Sequence, residues 1–391
     1  MGLFQTSKGD GVKPVPRWWR TDFRTGAIFE SAHGLLFRQA FDPPQWKDGI
    51  KMDKKKRITR RDFLKIGGVT GAGALLAACS VAQTNTPTAT AVPMPTETSI
   101  PLPTVTPETQ PALRIAHISD MHIDLSQKAN EHFRRAIRNI TQHAPAFDVV
   151  FNTGDCVMDA MWADLDDANA QWDVFTAVME GCTLPVYHAI GNHDVWGWGK
   201  SEGVRQTLQA DPLYGKGLAV QRLGLTDRYY TFDKNGWRFF VLDSTHLADQ
   251  SFFQPYTGKL DDEQYEWLAA ELTATPPETP VCILSHIPIL GANGLLDGDN
   301  EKSGDWLLPG AWVHIDARRL WSLFWQYPNV KICLSGHSHQ VEDLKYHGVN
   351  YLNNGAISGN WWNGAYFDFP PGYMSVSLYM DGTVTTEFIE Y

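Results

Sequence analysis

A predicted strand ends in Cys333-Leu334-Ser335-Gly336-His337-Ser338-His339, so a glycine and two histidines follow its apolar part. Four other apolar runs end in a comparable way. The residues that follow them are Asp120-Met121-His122, Gly154-Asp155, Gly191-Asn192-His193-Asp194 and Ser285-His286. Ligands of open α/β sheets bind beyond the carboxyl ends of the strands. These five strand ends therefore predict one convergent metal site.

The residue types at these strand ends suit metal binding. In Asp120-Met121-His122 the two polar residues are two apart, so an extended backbone aims both to one side. Gly154 and Gly336 allow sharp bends, which lets Asp155 and the two histidines after Gly336 reach inward. A carboxylate at Asp155 could bridge two cations. A mixed set of His, Asp and Asn suits zinc, manganese or iron, and the absence of a cysteine from this set argues against a structural zinc finger.

The pattern around these motifs predicts an α/β domain over residues 112–391. The predicted strands of the first half are 113–118, 147–151 and 184–190, and the predicted helices are 128–142 and 165–180. In the second half, Asn235-Gly236 predicts a hairpin turn. Helical spacing returns at 261–272 and 316–326 between further β-rich runs. The alternation predicts two packed sheets with helices outside them.

The five motifs, in this order, resemble those of the calcineurin-type metallophosphoesterases over about residues 113–391. The resemblance implies a four-layer α-β-β-α sandwich of two mixed sheets with a two-metal centre. It implies a first metal on Asp120, His122 and His339, a second metal on Asn192, His286 and His337, and Asp155 as the bridge. It also implies that His193 acts as an acid toward the leaving group, with Asp194 orienting its ring.

Together with the export signal described below, the resemblance implies an exported hydrolase that cleaves a small phosphoester with hydroxide activated by two manganese, iron or zinc ions. Two questions stay open at this point. The enzyme could be a phosphatase or a phosphodiesterase, including one for cyclic nucleotides, and few Lys or Arg residues near the motifs favour a diester. A catalytically silent, metal-containing surface binding protein is the alternative from another class.

Tryptophans near the motifs are candidate substrate contacts. They are Trp196, Trp361 and Trp362. Aromatic side chains on loops beside a site can stack on a nucleobase or a sugar, and they can equally pack the loops against the sheets.

Residues 52–79 predict an export signal. Arg60-Arg61-Asp62-Phe63-Leu64-Lys65 resembles a twin-arginine motif, and the apolar stretch after it is too short to span a bilayer. Leu76-Ala77-Ala78-Cys79 resembles a bacterial lipobox, which implies cleavage before Cys79 and lipidation of its thiol. The expected partners are the twin-arginine export machinery and, through the lipid, the extracytoplasmic face of the cell membrane.

The segments on either side of this signal are not expected to form the catalytic core. Residues 1–51 are an uncertain extension, and translation that begins at Met52 is the hypothesis we favour over a genuine extension. The 32 residues 80–111 include 9 Thr and 7 Pro, which predicts an extended linker.

Charge is divided unevenly along the chain. Residues 1–79 hold 15 Lys+Arg and 7 Asp+Glu, which leaves 18 and 37, a net charge of −19, for residues 80–391. A body this acidic repels polyanions, so nucleic acid is not an expected partner. Bound divalent cations would reverse the field locally.

Overall fold

We describe the protein in a computed structural model that covers residues 110–248, 254–296 and 308–391, together with Gly304 and Trp306. The extension 1–51, the signal 52–79 with Cys79, and the linker up to residue 109 lie outside the described residues. Within the described ranges, no helix is both long enough and apolar enough to cross a membrane.

The described elements follow the chain in two halves. The first half contains β1 (Leu113–Ile118), α1 (Gln127–Thr141), β2 (Val149–Asn152), α2 (Leu165–Met179), β3 (Val186–His188), α3 (Glu202–Leu208) and α4 (Gly217–Leu223). The second half contains β4 (Tyr230–Lys234), β5 (Trp237–Val241), β6 (Thr245–Leu247), β7 (Tyr256–Gly258), α5 (Asp262–Ala274), β8 (Val281–Leu284), a 3₁₀ turn (Asn293–Leu296), α6 (Ala317–Phe324), β9 (Val330–Ser335), β10 (Val341–Tyr346), β11 (Val349–Asn354), β12 (Gly372–Leu378) and β13 (Val384–Glu390).

These strands form two large mixed sheets. The first has the order β13-β12-β1-β2-β3, and β1, β2 and β3 run parallel. The second has the order β10-β11-β9-β8-β5-β4, with β11, β9, β8 and β5 parallel. A small antiparallel pair, β6 and β7, stands apart. The carboxyl ends of the parallel strands in each sheet therefore lie along one edge of that sheet.

Alternating side chains place the two sheets face to face. In β1, Leu113 and Ile115 join the cluster between the sheets, whereas Ala116 and Ile118 join the cluster under α1 and α2. The same alternation in β5 sends Phe239 into the space between the sheets and sends Phe240 toward α5 and α6. Each of the Leu, Ile and Phe side chains stabilises the fold by about 1.5–3 kcal/mol when fully buried. The predicted four-layer α-β-β-α sandwich is confirmed.

Local signals explain where the long helices begin. The hydroxyl of Ser126 accepts the N–H of Ala129 at the start of α1 (3.2 Å), and Asp261 caps α5 by accepting the N–H of Gln264 (2.8 Å). The buried face of α1 has helical spacing, and its members are Ala129, Phe133, Ala136, Ile137 and Ile140. The predicted boundaries of both helices agree with the structure to within two residues.

Several elements were not predicted from the sequence. Helices α3 and α4 are only seven residues long, too short for a clear period. In strand β10 three of the six residues are charged and none is fully buried, which is typical of an edge strand. The strand predicted over 184–190 is reduced to Val186–His188, because the chain turns toward the next motif immediately afterwards.

Candidate metal centre

The polar residues after the parallel strands meet at one place. Asp120 and His122 follow β1, Asp155 follows β2, and Asn192 follows β3. From the second sheet, His286 follows β8, and His337 and His339 follow β9. Six of the seven residues are at most 2% exposed, and His337 is partly buried. The structure thus brings together all seven of the residues that the sequence analysis assigned to metal binding.

One group of side chains surrounds the end of β1. The Nε2 atoms of His122 and His339 are 2.9 Å apart. The Oδ1 atom of Asp120 is 3.5 Å from Nε2 of His339 and 3.8 Å from Nε2 of His122. These three residues form a group that can hold one cation.

A second group surrounds the end of β8. The Nε2 atom of His286 lies 2.9 Å from Oδ1 of Asn192 and 3.1 Å from Nδ1 of His337. Asp155 stands between the two groups, because its Oδ1 is 3.3 Å from His286 and its Oδ2 is 3.6 Å from His122. Each oxygen of this one carboxylate therefore faces a different set of donors.

Backbone carbonyls set the orientation of two imidazole rings. Nδ1 of His286 lies 2.8 Å from the carbonyl oxygen of Thr153, and Nδ1 of His339 lies 2.6 Å from that of Gly359. When these Nδ1–H groups donate, each ring presents the lone pair of Nε2 to the centre, as a metal ligand must. The sequence analysis missed both carbonyls, since a backbone atom leaves no trace in residue type.

The backbone at the centre is strained. Five non-glycine residues have positive φ angles: Asp120 (56°), His122 (43°), Asp155 (52°), His337 (73°) and His339 (58°). Such conformations are uncommon outside glycine and cost about 1–3 kcal/mol each, and they cluster at functional sites. Two hydrogen bonds involve three of them: the N–H of His337 donates to Asp120, and the N–H of His193 donates to Asp155 (both 2.8 Å).

The pKa values of the Asp and His side chains at the centre are shifted by burial and by their charged neighbours. Burial alone would raise the pKa of Asp155, but the neighbouring His286 and His193 outweigh burial and lower it. Burial lowers the pKa of His122 to about 4 and that of His337 to about 3, so both rings are neutral at pH 7. For His286 burial acts downward, yet Asp155 raises its pKa to about 9. The same Asp155 carboxylate that favours a charged His286 would also stabilise a bound cation.

The donor set fits metal ions rather than a closed hydrogen-bond network. Oδ1 of Asp120 is fully buried and has no hydrogen-bond partner among the described residues. Burial of a carboxylate oxygen without a partner costs free energy of folding unless a cation lies beside it. Neutral imidazoles, carboxylates and an amide oxygen together suit zinc, manganese or iron.

The predicted role of Asp194 as the residue that orients the His193 ring is wrong. The carboxylate of Asp194 accepts backbone N–H groups of Cys156 (2.8 Å), Val157 (3.3 Å) and Gly191 (2.9 Å). Burial, and then the charge of Asp155, raise its pKa to about 7. Asp194 therefore braces the loops after β2 and β3.

The ring of His193 is oriented by a backbone carbonyl instead. Its Nδ1 lies 2.5 Å from the carbonyl oxygen of Met158. The ring stands edge-on to His122, with centroids 4.5 Å apart. A nitrogen of His193 also forms a compact group with His122 and Asp155. His193 thus lies beside the centre, where it can reach a bound substrate.

Two of the three tryptophans predicted to contact substrate are packing residues. Trp196 is 4% exposed and Trp362 is 5% exposed, and both belong to the core under α1 and α2. The indole N–H of Trp362 donates to the carbonyl of His122 (3.0 Å). Only Trp361 is partly exposed and lies against the centre, with its ring 4.4 Å from that of His339.

Gly336 is required by a close approach, and we expect Gly336→Ala to damage the centre. A methyl group at this position would overlap the hydroxyl of Ser119 and the carboxylate of Asp120. Displacing Asp120 should lower metal affinity at least about tenfold, as loss of supporting contacts does at metal sites. Titration of metal into the chelator-treated protein measures the effect. Gly203→Ala is the matched control, because a methyl group there meets nothing within 4 Å; a similar affinity for both variants would contradict the assignment.

Comparison with known proteins identifies the class. Residues 113–341 match the family described as calcineurin-like phosphoesterase, and residues 57–77 match the twin-arginine translocation pathway signal sequence. The 3′,5′-cyclic adenosine monophosphate phosphodiesterase CpdA of Escherichia coli (strain K12) is 25% identical over 287 residues, which cover 70% of this chain and 88% of that protein. The 3′,5′-cyclic-nucleotide phosphodiesterase alr5338 of Nostoc sp. (strain PCC 7120) is 24% identical over 291 residues, which cover 70% and 91%.

A solved structure shows the same fold. A dimetal phosphatase from Danio rerio aligns with a TM-score of 0.51 at 16% identity, over 71% of this chain and 96% of that chain. The fold and the strand-end residues define a metal-dependent phosphoester hydrolase. The chain belongs to the calcineurin-like phosphoesterase family, whose members use a dinuclear metal centre, and its twin-arginine signal indicates export across the membrane.

Proposed function

We propose that the chain is an exported phosphodiesterase whose substrates include 3′,5′-cyclic nucleotides, and that the seven strand-end residues hold two metal ions. One observation carries the proposal: the two oxygens of Asp155 face His286 on one side and His122 on the other. Asp120, His122 and His339 would hold the first ion, and Asn192, His286 and His337 the second. Asp155 would bridge them.

The reaction is hydrolysis. When bound, the two cations would supply a hydroxide near neutral pH and neutralise the phosphate oxygens as charge shifts between them. A water oxygen forms a bond to phosphorus, and the ester P–O bond breaks. His193, held at Nδ1 by the Met158 carbonyl, gives a proton to the departing oxygen. No serine or cysteine nucleophile is needed.

The distribution of cationic side chains favours a diester over a monoester. Lys216 and Arg228 both pair with the buried Asp243, and Lys200 pairs with Asp164. These ion pairs engage three cationic side chains with carboxylates of the protein itself. The body of the chain is also strongly acidic. The names of the relatives from Escherichia coli and Nostoc, each a cyclic-nucleotide phosphodiesterase, agree with a diester.

Hydrolysis by the full chain after reconstitution with manganese, zinc or iron tests the proposal. We expect metal-dependent turnover of 3′,5′-cyclic AMP and of bis(p-nitrophenyl) phosphate, with kcat/KM at least about tenfold above that for p-nitrophenyl phosphate. A preference for the monoester would make the chain a phosphatase. Absence of all turnover with two metals bound would favour the silent binding protein.

We also propose lipid anchoring at Cys79. Support comes from the export signal matched over 57–77, which ends two residues before Cys79, and from the sequence Leu76-Ala77-Ala78 that precedes it. A lipid there would hold the enzyme at the extracytoplasmic face of the membrane, with residues 80–111 as a spacer. Mass spectrometry of the mature protein should find an N-terminal, lipid-modified Cys79, and an unmodified Cys79 would contradict the anchor.

A further inference from the structure

The segment 355–369, between β11 and β12, is fastened to the metal centre. The carbonyl of Gly359 contacts Nδ1 of His339 (2.6 Å), and the N–H of Ser358 donates to the carbonyl of Asp120 (3.2 Å). The indole of Trp362 donates to the carbonyl of His122 (3.0 Å). All three partners belong to the group around β1. The position of the segment is therefore set by the centre itself.

Three aromatic side chains of this segment form a continuous wall, which we call the aromatic wall: Trp361, Tyr366 and Phe367. The Trp361 ring lies 5.5 Å from the Tyr366 ring, which lies 4.8 Å from the Phe367 ring, both pairs nearly perpendicular. Phe367 is 47% exposed, and Trp361 and Tyr366 are partly exposed. The wall thus begins at His339 and ends at the surface.

The backbone that carries the wall is strained. Trp361 and Phe367 both have a φ of 44°, and Asp368 has a φ of 69°. Bulky residues rarely adopt the left-handed conformation, which costs about 1–3 kcal/mol at each position. Phe367 gains little burial in return for this cost, because its side chain is 47% exposed. Strain of this kind at the rim of a site points to a function in binding.

The base of the wall and the proposed acid both lie against the ring of His122. The ring of His122 has His193 at 4.5 Å and Trp361 at 5.7 Å, measured between centroids. A leaving oxygen that takes a proton from His193 would therefore depart beside the ring that Trp361 also contacts. A flat ring on the substituent of that oxygen can stack on the wall.

We propose that the aromatic wall, with Trp361 at its base, is a stacking subsite for a flat ring in the leaving group, and that it makes the enzyme selective for nucleoside phosphodiesters. This inference rests on the proposed phosphodiesterase function. Stacking on an aromatic side chain accepts every base, because every base has a π-face. The subsite would therefore select for the presence of a base and discriminate weakly among bases.

A comparison of two substrates with the same scissile bond tests the subsite. They are 3′,5′-cyclic AMP and the 3,5-cyclic phosphate of methyl β-D-riboside, which lacks a base. We expect the wild-type enzyme to prefer the nucleotide by about tenfold or more in kcat/KM, mostly through KM. Trp361→Ala should bring this ratio close to one, and Trp361→Phe should keep part of it. Trp325→Ala, a change at another exposed tryptophan, is the control and should leave the ratio unchanged.

A purely structural role for Trp361 predicts a different result. If Trp361 only holds His339 in place, Trp361→Ala lowers metal content and slows both substrates equally, so the ratio stays at its wild-type value. That outcome would overturn the inference, as would a wild-type ratio near one.

A binding measurement separates failure of this inference from failure of the proposed function. The manganese-loaded full chain can be titrated with adenosine 5′-monophosphate and with ribose 5-phosphate, whether or not it turns substrate over. We expect the base to tighten binding about tenfold and Trp361→Ala to remove this advantage. Equal binding of the two ligands to the wild-type protein would overturn the subsite, even if phosphodiester hydrolysis is observed.

Discussion

Asp155→Ala is expected to reduce phosphodiester hydrolysis at least about a thousandfold and to lower the metal content below two ions per chain, since both cations lose a shared ligand. Asp155 is buried, and its two oxygens face His122 on one side and His286 on the other. The loss should exceed the loss caused by removal of any ligand that serves one ion. Turnover of bis(p-nitrophenyl) phosphate and elemental analysis measure the two effects.

Two further variants sharpen this result. Asp155→Asn keeps the size of the side chain but removes the charge that balances two cations, and we expect it to lose almost as much activity as alanine. Asp166→Ala removes an exposed carboxylate in the first turn of α2 and should leave turnover and metal content unchanged. Retention of two ions and of wild-type turnover in Asp155→Ala would contradict a bridging role.

His193→Ala is expected to slow cyclic AMP hydrolysis by about a hundred to ten thousandfold while two metal ions remain bound. The reason lies in the leaving group. Cleavage of cyclic AMP releases a strongly basic alkoxide that needs a proton, whereas bis(p-nitrophenyl) phosphate releases a weakly basic phenolate. The loss should therefore be much smaller for bis(p-nitrophenyl) phosphate. Kinetics with both substrates and a metal analysis check the prediction.

The same experiment distinguishes an acid from a ligand. His193 lies close enough to His122 and Asp155 to form a metal-binding group with them. If His193 were a ligand, its removal would lower metal content and slow both substrates alike. His347→Ala, at the exposed turn between β10 and β11, is the control histidine and should change neither quantity.

Strand ends made the centre predictable from sequence. Asp120, Asp155 and His337 each follow a short apolar run, and parallel strands bring such ends together whatever the details of the loops. The order of the strands within the two sheets was not predicted, because hydrophobic alternation does not say which strands pair. Boundaries of long elements such as α1 were predictable, since its apolar positions have a clear helical period.

The errors have a common physical origin. Asp194 follows His193 in the chain, yet its side chain turns away to meet three backbone N–H groups. Trp196 and Trp362 lie beside functional residues in sequence but point into the core. Adjacent residues in a loop face different directions, so sequence proximity does not predict contact. The structure alone shows that Trp361 lies against the metal centre while Trp362 packs into the core.

The most direct test of the account is an activity titration. The full chain is stripped of metal with a chelator, and manganese is added stepwise while hydrolysis of bis(p-nitrophenyl) phosphate is followed. We predict that the stripped protein is inactive and that turnover rises until two ions are bound per chain, with no such rise in Asp155→Ala. Turnover by the stripped protein, or full activity with metal binding that does not depend on Asp155, would contradict the account.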